Sequence, residues 1–292
     1  MNTAIATDGV VARFPKGKVA ASPLIIVHLS VGSNAGTNSR ALVFAEDLSE
    51  GKVVEIFFNW GNGSVWANHV SEILVENGAN LEWVTIQNDL GGDYALTNFT
   101  QVHQGGNSTF RSTVMSSDGK LVRNDLQVLH QGSGCNTYLN GLTLLDGDAH
   151  VDHHTLVDHA LPHCYSNETY KTVLDGNSTA VFNGKVMVRP DAQKTNAFQS
   201  NKTLLLSDGA TVNAKPQLEI YADDVKCSHG ATTGRLDETA LFYLRSRGLS
   251  AKRAQALLTY AFGAEVLDQI GIAEVREHLE SQLLERLTGE SK

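Results

Sequence analysis

Cysteine, proline and long apolar runs are all scarce in this chain. Its 292 residues include three cysteines, Cys135, Cys164 and Cys227, an odd and widely spaced set with no CxxC pair. That excludes a disulfide framework and reads as reduced, partly buried thiols. No apolar run approaches the roughly 20 residues of a membrane-spanning helix. The first residues, MNTAIATDGVVARFPKGKVA, lack the basic start and apolar stretch of a secretory signal. No membrane partner is therefore expected, and a cytoplasmic location is. Basic side chains are also short: 23 Lys and Arg stand against 32 Asp and Glu, a net charge of −9. Such a chain is ill suited to track nucleic-acid phosphates. There is no GxxxxGK(S/T) and no GxGxxG opening a helix. HExxH and a GxSxG elbow are missing too, so nothing argues for an ATPase or a hydrolase.

What the chain does hold, across its first four-fifths, is turn chemistry between short apolar runs. It has 26 glycines, with Asp-Gly at 8–9, 118–119, 146–147, 175–176 and 208–209 and Asn-Gly at 62–63, 77–78, 140–141 and 183–184. Between these lie Leu24–Leu29, Val53–Phe58, Leu81–Ile86, Leu121–Leu129, Val186–Val188, Leu204–Leu206 and Leu218–Ile220. These are strand signals bounded by tight turns, and no convincing 3.6-residue period precedes about residue 236. The region is all-β: a sandwich, a barrel or a solenoid. More than 200 residues of short strands with only five prolines is a lot for one sandwich. Stacked coils would be economical, although no exact repeat is visible.

The pattern changes near Gly234, which divides a β region (1–234) from a helical one (235–292). Asp237 is a good N-cap, Glu238 follows in the first turn, and Arg245, Arg247 and Gly248 form a helix stop. Ser250 opens a second helical segment with Leu257, Leu258, Ala261, Phe262, Val266 and Ile270 along one side. A third runs from about Ile272 to Leu287. Such helices pack either on the β body or on a partner.

Two constellations could carry chemistry. His150, His153, His154, His159 and His163 crowd into fourteen residues and close with Cys164. These are transition-metal ligand types, yet the spacing matches no strong motif, so a mainly structural role is expected. The second is ADDVKCSHGATTG (222–234), where Cys227 and His229, two apart, share one face of a strand. They read as half of a soft-metal site, as a nucleophile–base pair, or as a packed thiol beside a satisfied imidazole.

Three blocks in order, AHVDHHTLVDHALPHCYSNETYK, VFNGKVMVRPDAQKTNAFQSNKTLLLSDGA and KPQLEIYADDVKCSHGATTGRLDETALFYLRSRGL, closely resemble the SufB/SufD family of iron–sulfur cluster assembly scaffolds. The resemblance is strong from about Asn136 to Gln269 and looser before. Within the family, Ser228-His229-Gly230-Ala231 and the segment Phe242–Gly248 are SufD-like, since SufB carries a Glu-His-Glu-Ala pattern there. The resemblance implies a right-handed parallel β-helix core followed by a small C-terminal α-helical domain. It implies a non-catalytic scaffold that pairs with a SufB-like paralogue through the β-helix edge. A SufC-like ATPase would bind through the helices, around Phe242, Tyr243, Arg245, Leu258 and Phe262. His229 matches the family histidine at the interface where a transient iron–sulfur cluster is built, and Cys227 has a weaker claim. A reduced flavin on the complex would be a further cofactor. Family members carry a largely helical N-terminal region, whereas this chain enters β sequence almost directly. The competing readings are a carbohydrate-active β-helix enzyme and a stand-alone metal-binding protein using His150–His163.

Overall fold

The computed structural model describes residues 2–289 apart from 7, 33, 62, 89 and 92. Its strands fall alternately into two sheets, so that the chain winds as a parallel β-solenoid. One sheet takes β1 (Asp8–Phe14), β3 (Ala35–Ala45), β5 (Val65–Val75), β7 (Tyr94–Gln104), β9 (Leu121–His130), β11 (His150–His159) and β13 (Thr179–Val188). Two short strands, β15 (Thr211–Ala214) and β16 (Gln217–Ile220), both pair with β13. The other sheet takes β2 (Leu24–Val31), β4 (Glu50–Trp60), β6 (Asn80–Gln87), β8 (Thr109–Ser116), β10 (Asn136–Leu145), β12 (Tyr165–Leu174), β14 (Asn196–Leu205) and β17 (Lys226–Gly234). Every pairing between named strands is parallel and joins one coil to the next. Val122, Val151 and Ala180 are successive partners 29 residues apart, and all three are buried inside the coil.

The strands are longer than the apolar runs suggest, mostly eight to eleven residues. Parallel stacking satisfies each backbone N–H and C=O from the neighbouring coil, so a strand need not be apolar to be buried. The interior accepts Glu55, His69, Gln87, Gln104, His130 and Glu168 beside its aliphatic residues. Two of the Asn-Gly dipeptides are therefore not turns. Asn140-Gly141 lies within β10 and Asn183-Gly184 within β13, and Asp8-Gly9 likewise opens β1. Asp146-Gly147 and Asp175-Gly176 do form corners, with Gly147 at φ 59° and Gly176 at φ 63°, stacked one coil apart. Asn62, of the dipeptide 62–63, lies outside the described residues.

Gly141 has a different task. It stands in register with Tyr170, and a Cβ added at Gly141 would lie 2.3 Å from that ring. Tyr170 in turn leans on Phe182, 4.8 Å between ring centroids. Gly141→Ala should cost about 1–3 kcal/mol through overpacking, read as a lower urea midpoint. An unchanged midpoint would mean that Tyr170 can move aside freely.

Four helices are described: α1 (Asn2–Ile5), α2 (Glu238–Ser246), α3 (Ala251–Leu267) and α4 (Ala273–Thr288). Capping follows the sequence signals. Asp237 accepts from the Thr239 N–H at 2.8 Å and Ser250 from the Arg253 N–H at 3.3 Å. α3 and α4 lie on the outer face of the second sheet. Val266, Leu267, Leu279 and Leu283 share one buried cluster with Val54, Val84, Met115, Leu142, Leu144 and Val173. This explains why β10 is buried on both faces: Leu139 and Leu145 point into the coil while Leu142 and Leu144 meet the helices.

Candidate functional site

β17 is the last strand of its sheet. It pairs only with β14 among the described residues, which leaves its outer row of backbone groups unpaired. Parallel register sets Cys227 against Ala197 and His229 against Gln199, both of which are buried inside the preceding coil. Cys227 and His229 therefore continue the interior face onto the open end of the solenoid. Cys227 is half-buried against the cluster of Val186, Val188, Ala192, Ala197 and Ala222. That burial pushes its thiol pKa up. His229 is exposed. Asp224, on the corner before β17, is engaged by Lys194. The same column runs inward from His229 to Gln199 and then Glu168, a completely buried carboxyl on β12.

The histidine-rich stretch separates once β11 is laid out as one continuous strand. His153 and His159 face the interior; His150 and His154 do not. His153 is bonded to Thr143 at 3.0 Å, and His154 lies 3.0 Å from Asp152. Burial pushes both His153 and His159 down to about 4, so both are neutral imidazoles near pH 7. His163 sits exposed on a corner at φ 61°. His159 alone joins a larger group, meeting His130 of the preceding coil and Cys164.

A second interior group was not singled out in the sequence. Glu55 Oε1 lies 3.1 Å from Nε2 of both His28 and His69, and its Oε2 accepts from Trp83 Nε1 and Thr85 Oγ1 at 3.2 Å. Burial alone would raise this carboxyl. Hydrogen bonds from His28 and His69 overcome it and hold Glu55 far below the ordinary value. Burial lowers His69, which therefore meets Glu55 as a neutral N–H donor. These three residues come from three different strands, so no local spacing reveals them.

The helical residues divide. On α2, Phe242 and Tyr243 are 72% and 55% exposed, and Arg245 is exposed beside them. Leu258 and Phe262, on α3, are half-buried. Phe262 is not a free apolar position. Its ring lies 4.6 Å from the ammonium of Lys171, and its carbonyl accepts from that ammonium at 2.9 Å. Lys171 also pairs with Glu265, so a lysine buried on the outer sheet face is satisfied by α3.

A family model described as "SUF system FeS cluster assembly, SufBD core domain" matches residues 28–262, from within β2 to within the docked α3. The chain belongs to the SufBD core family. Among curated proteins it is 35% identical over 289 residues to an iron–sulfur cluster assembly SufBD family protein of Synechocystis sp., covering 96% of this chain and 64% of the relative. It is 31% identical over 280 residues to the iron–sulfur cluster assembly protein SufD of Escherichia coli, covering 94% and 66%. It is 34% identical over 283 residues to the chloroplastic protein ABCI7 of Arabidopsis thaliana, covering 93% and 59%. The chain thus spans just under two thirds of the length of these relatives. None of its described helices is long and apolar enough to cross a membrane.

Proposed function

We propose that this chain is a SufD-like, non-catalytic scaffold subunit of a Suf-type iron–sulfur assembly complex, acting in the bacterial cytosol or an equivalent plastid compartment. The observation that carries this reading is β17: an open sheet edge, at the end of a SufBD core, carrying an exposed imidazole and a half-buried thiol on one face. An unpaired edge accepts a strand from another chain, and the natural occupant is a SufB-like paralogue whose own coil ends in the same way. His229, with Cys227 in a lesser role, would offer a borderline and a soft donor to iron. Two donors do not close a four-coordinate iron site, so the partner supplies the rest. The cluster is cargo, shared across the interface and passed on. The helical segment 235–292 would dock a SufC-like ATPase, chiefly through Phe242, Tyr243 and Arg245 on α2. Leu258 and Phe262 would hold α3 in place behind them. A reduced flavin would belong to the assembled complex.

The test is co-expression with the paralogue and the ATPase. His229→Ala should leave folding and complex assembly intact, because one exposed imidazole contributes little area. Iron and sulfide on the complex should fall about tenfold or more, since even outer-shell changes at metal sites cost about 10–100-fold. Normal iron and sulfide in that variant would remove His229 from the mechanism. ATPase retention after Phe242→Glu with Tyr243→Glu would remove α2 from the docking surface.

A further inference from the structure

We infer that the interior of the solenoid holds a second, separate metal site, built from His130, His159 and Cys164 with Cys135 beside them, which takes a single tetrahedral ion of the Zn2+ type. The four residues come from two successive coils. His130 ends β9 and His159 ends β11, in register with each other. Cys135 and Cys164 lie just before β10 and β12, again one coil apart. All four side chains are buried, and the ligand atoms of His130, His159 and Cys164 all lie within 4.8 Å of one another. The Cys135 thiol lies beside this group: it donates to Gly132 O at 3.1 Å, the same carbonyl that Cys164 Sγ meets at 3.5 Å.

Hydrogen bonds fix which nitrogen of His130 is free. The Gln104 amide nitrogen donates to the Asn136 carbonyl at 3.3 Å, which orients its oxygen toward Thr137. The Thr137 hydroxyl gives its proton to that oxygen at 2.5 Å. Thr137 Oγ1 is then left to accept, so His130 Nε2, 2.7 Å away, carries the ring proton. In the neutral ring Nδ1 is then a bare lone pair. It points at His159 Nδ1, 3.2 Å away, while His159 Nε2 lies 2.9 Å from Ser166 Oγ. The rings stand edge to face at 88°, with centroids 4.5 Å apart. Two nitrogens bound to one tetrahedral zinc at about 2.0–2.1 Å lie about 3.3 Å apart. Each ring also has its far nitrogen held by a hydroxyl, the outer support that metal-bound histidines carry. The Cys164 thiol meets Gly132 O at 3.5 Å and Pro162 O at 3.6 Å, and its sulfur also faces both imidazoles. Two imidazoles with one or two thiolates are a donor set that zinc selects. No step of the proposed assembly role depends on this site, which lies inside the coils while β17 is at their end.

The experiment uses the full chain, stripped with a chelator and titrated with Zn2+ alone, without sulfide. One Zn2+ per chain should survive gel filtration and raise the thermal midpoint. Cobalt(II) should give intense tetrahedral d–d bands and a thiolate-to-cobalt charge-transfer band. Both should persist in Cys227→Ser and disappear in Cys164→Ser. Thr137→Val, which removes only the outer support of His130, should weaken Zn2+ about 10–100-fold. Should Cys164→Ser fail to fold, the Cys227→Ser spectrum still decides, because Cys135 and Cys164 are then the only thiols left. A folded protein that takes up no Zn2+ overturns the site and leaves an imidazole–imidazole hydrogen bond in its place. A thiolate band lost in Cys227→Ser would place the metal at β17 instead and overturn it equally.

Discussion

Glu55→Ala is expected to lower stability by about 3–5 kcal/mol, because it strands buried donors and opens a cavity inside the coil. The carboxylate is completely buried and receives His28, His69, Trp83 and Thr85. Its pKa in the folded protein lies below the ordinary 4.5. The stabilisation it contributes is therefore full above pH 4.5 and is lost as the pH falls below that value. Urea midpoints measured at neutral pH and near pH 4 should show the wild type losing stability on acidification. Glu55→Ala should start lower and lose less over the same interval. If the alanine variant unfolds at the wild-type urea concentration near pH 7, the four donors are finding other partners and Glu55 is dispensable.

Glu168→Gln should do the opposite and stabilise the protein at alkaline pH. Glu168 is as deeply buried as Glu55 but has no imidazole beside it. Thr155 donates to Oε2 at 2.6 Å, and Oε1 has no hydrogen-bond partner. Burial wins here and pushes the carboxyl up from 4.5 to about 7. A raised pKa reverses the sign: the contribution is full below pH 4.5 and is lost as the pH rises through about 7. Ionisation in place then costs about 3 kcal/mol, taking about 1.4 kcal/mol per pKa unit. Glutamine has the shape of the protonated acid and no charge to lose. Its denaturation midpoint should match wild type at pH 4 and exceed it well above pH 7. Parallel pH profiles for the two proteins would show that Glu168 is already neutralised or solvated in some other way.

These two glutamates also mark how far the sequence could be read. The caps at Asp237 and Ser250 are contacts within three residues, so their meaning is local and the structure keeps it. Cys227 and His229 were legible as a same-face pair because strand alternation is local too. The dipeptides Asn140-Gly141 and Asn183-Gly184 misled for the converse reason. Their glycines make room for Tyr170 and for Gln199 on other strands, a requirement that no neighbour in sequence carries. The strands richest in polar residues, such as β5, β7 and β11, were hidden because a coil interior need not be oily. The pair His130 and His159 lies one coil apart. Yet a trace of it stood in the chain: histidine, four residues, cysteine occurs at His130–Cys135 and again at His159–Cys164, 29 residues later. That offset is the length of a coil, and it acquires meaning only once the solenoid is known.

The docking of α3 and α4 changes how such a molecule opens. Coils that touch only their neighbours would exchange their amide protons in a gradient from both ends. Here the helices share one buried apolar cluster with Val54 on β4, Ile86 on β6, Met115 on β8, Leu142 on β10 and Val173 on β12, a strap across five coils. Amides beneath that strap should exchange together, through one large opening. β17 lies beyond those five coils and is paired on one side only. Its outward-facing amides are free to exchange at rates close to those of an unfolded chain. The strand that carries His229 is thus a readily exchanging edge of the molecule, and a partner strand laid along it would register there as slowed exchange.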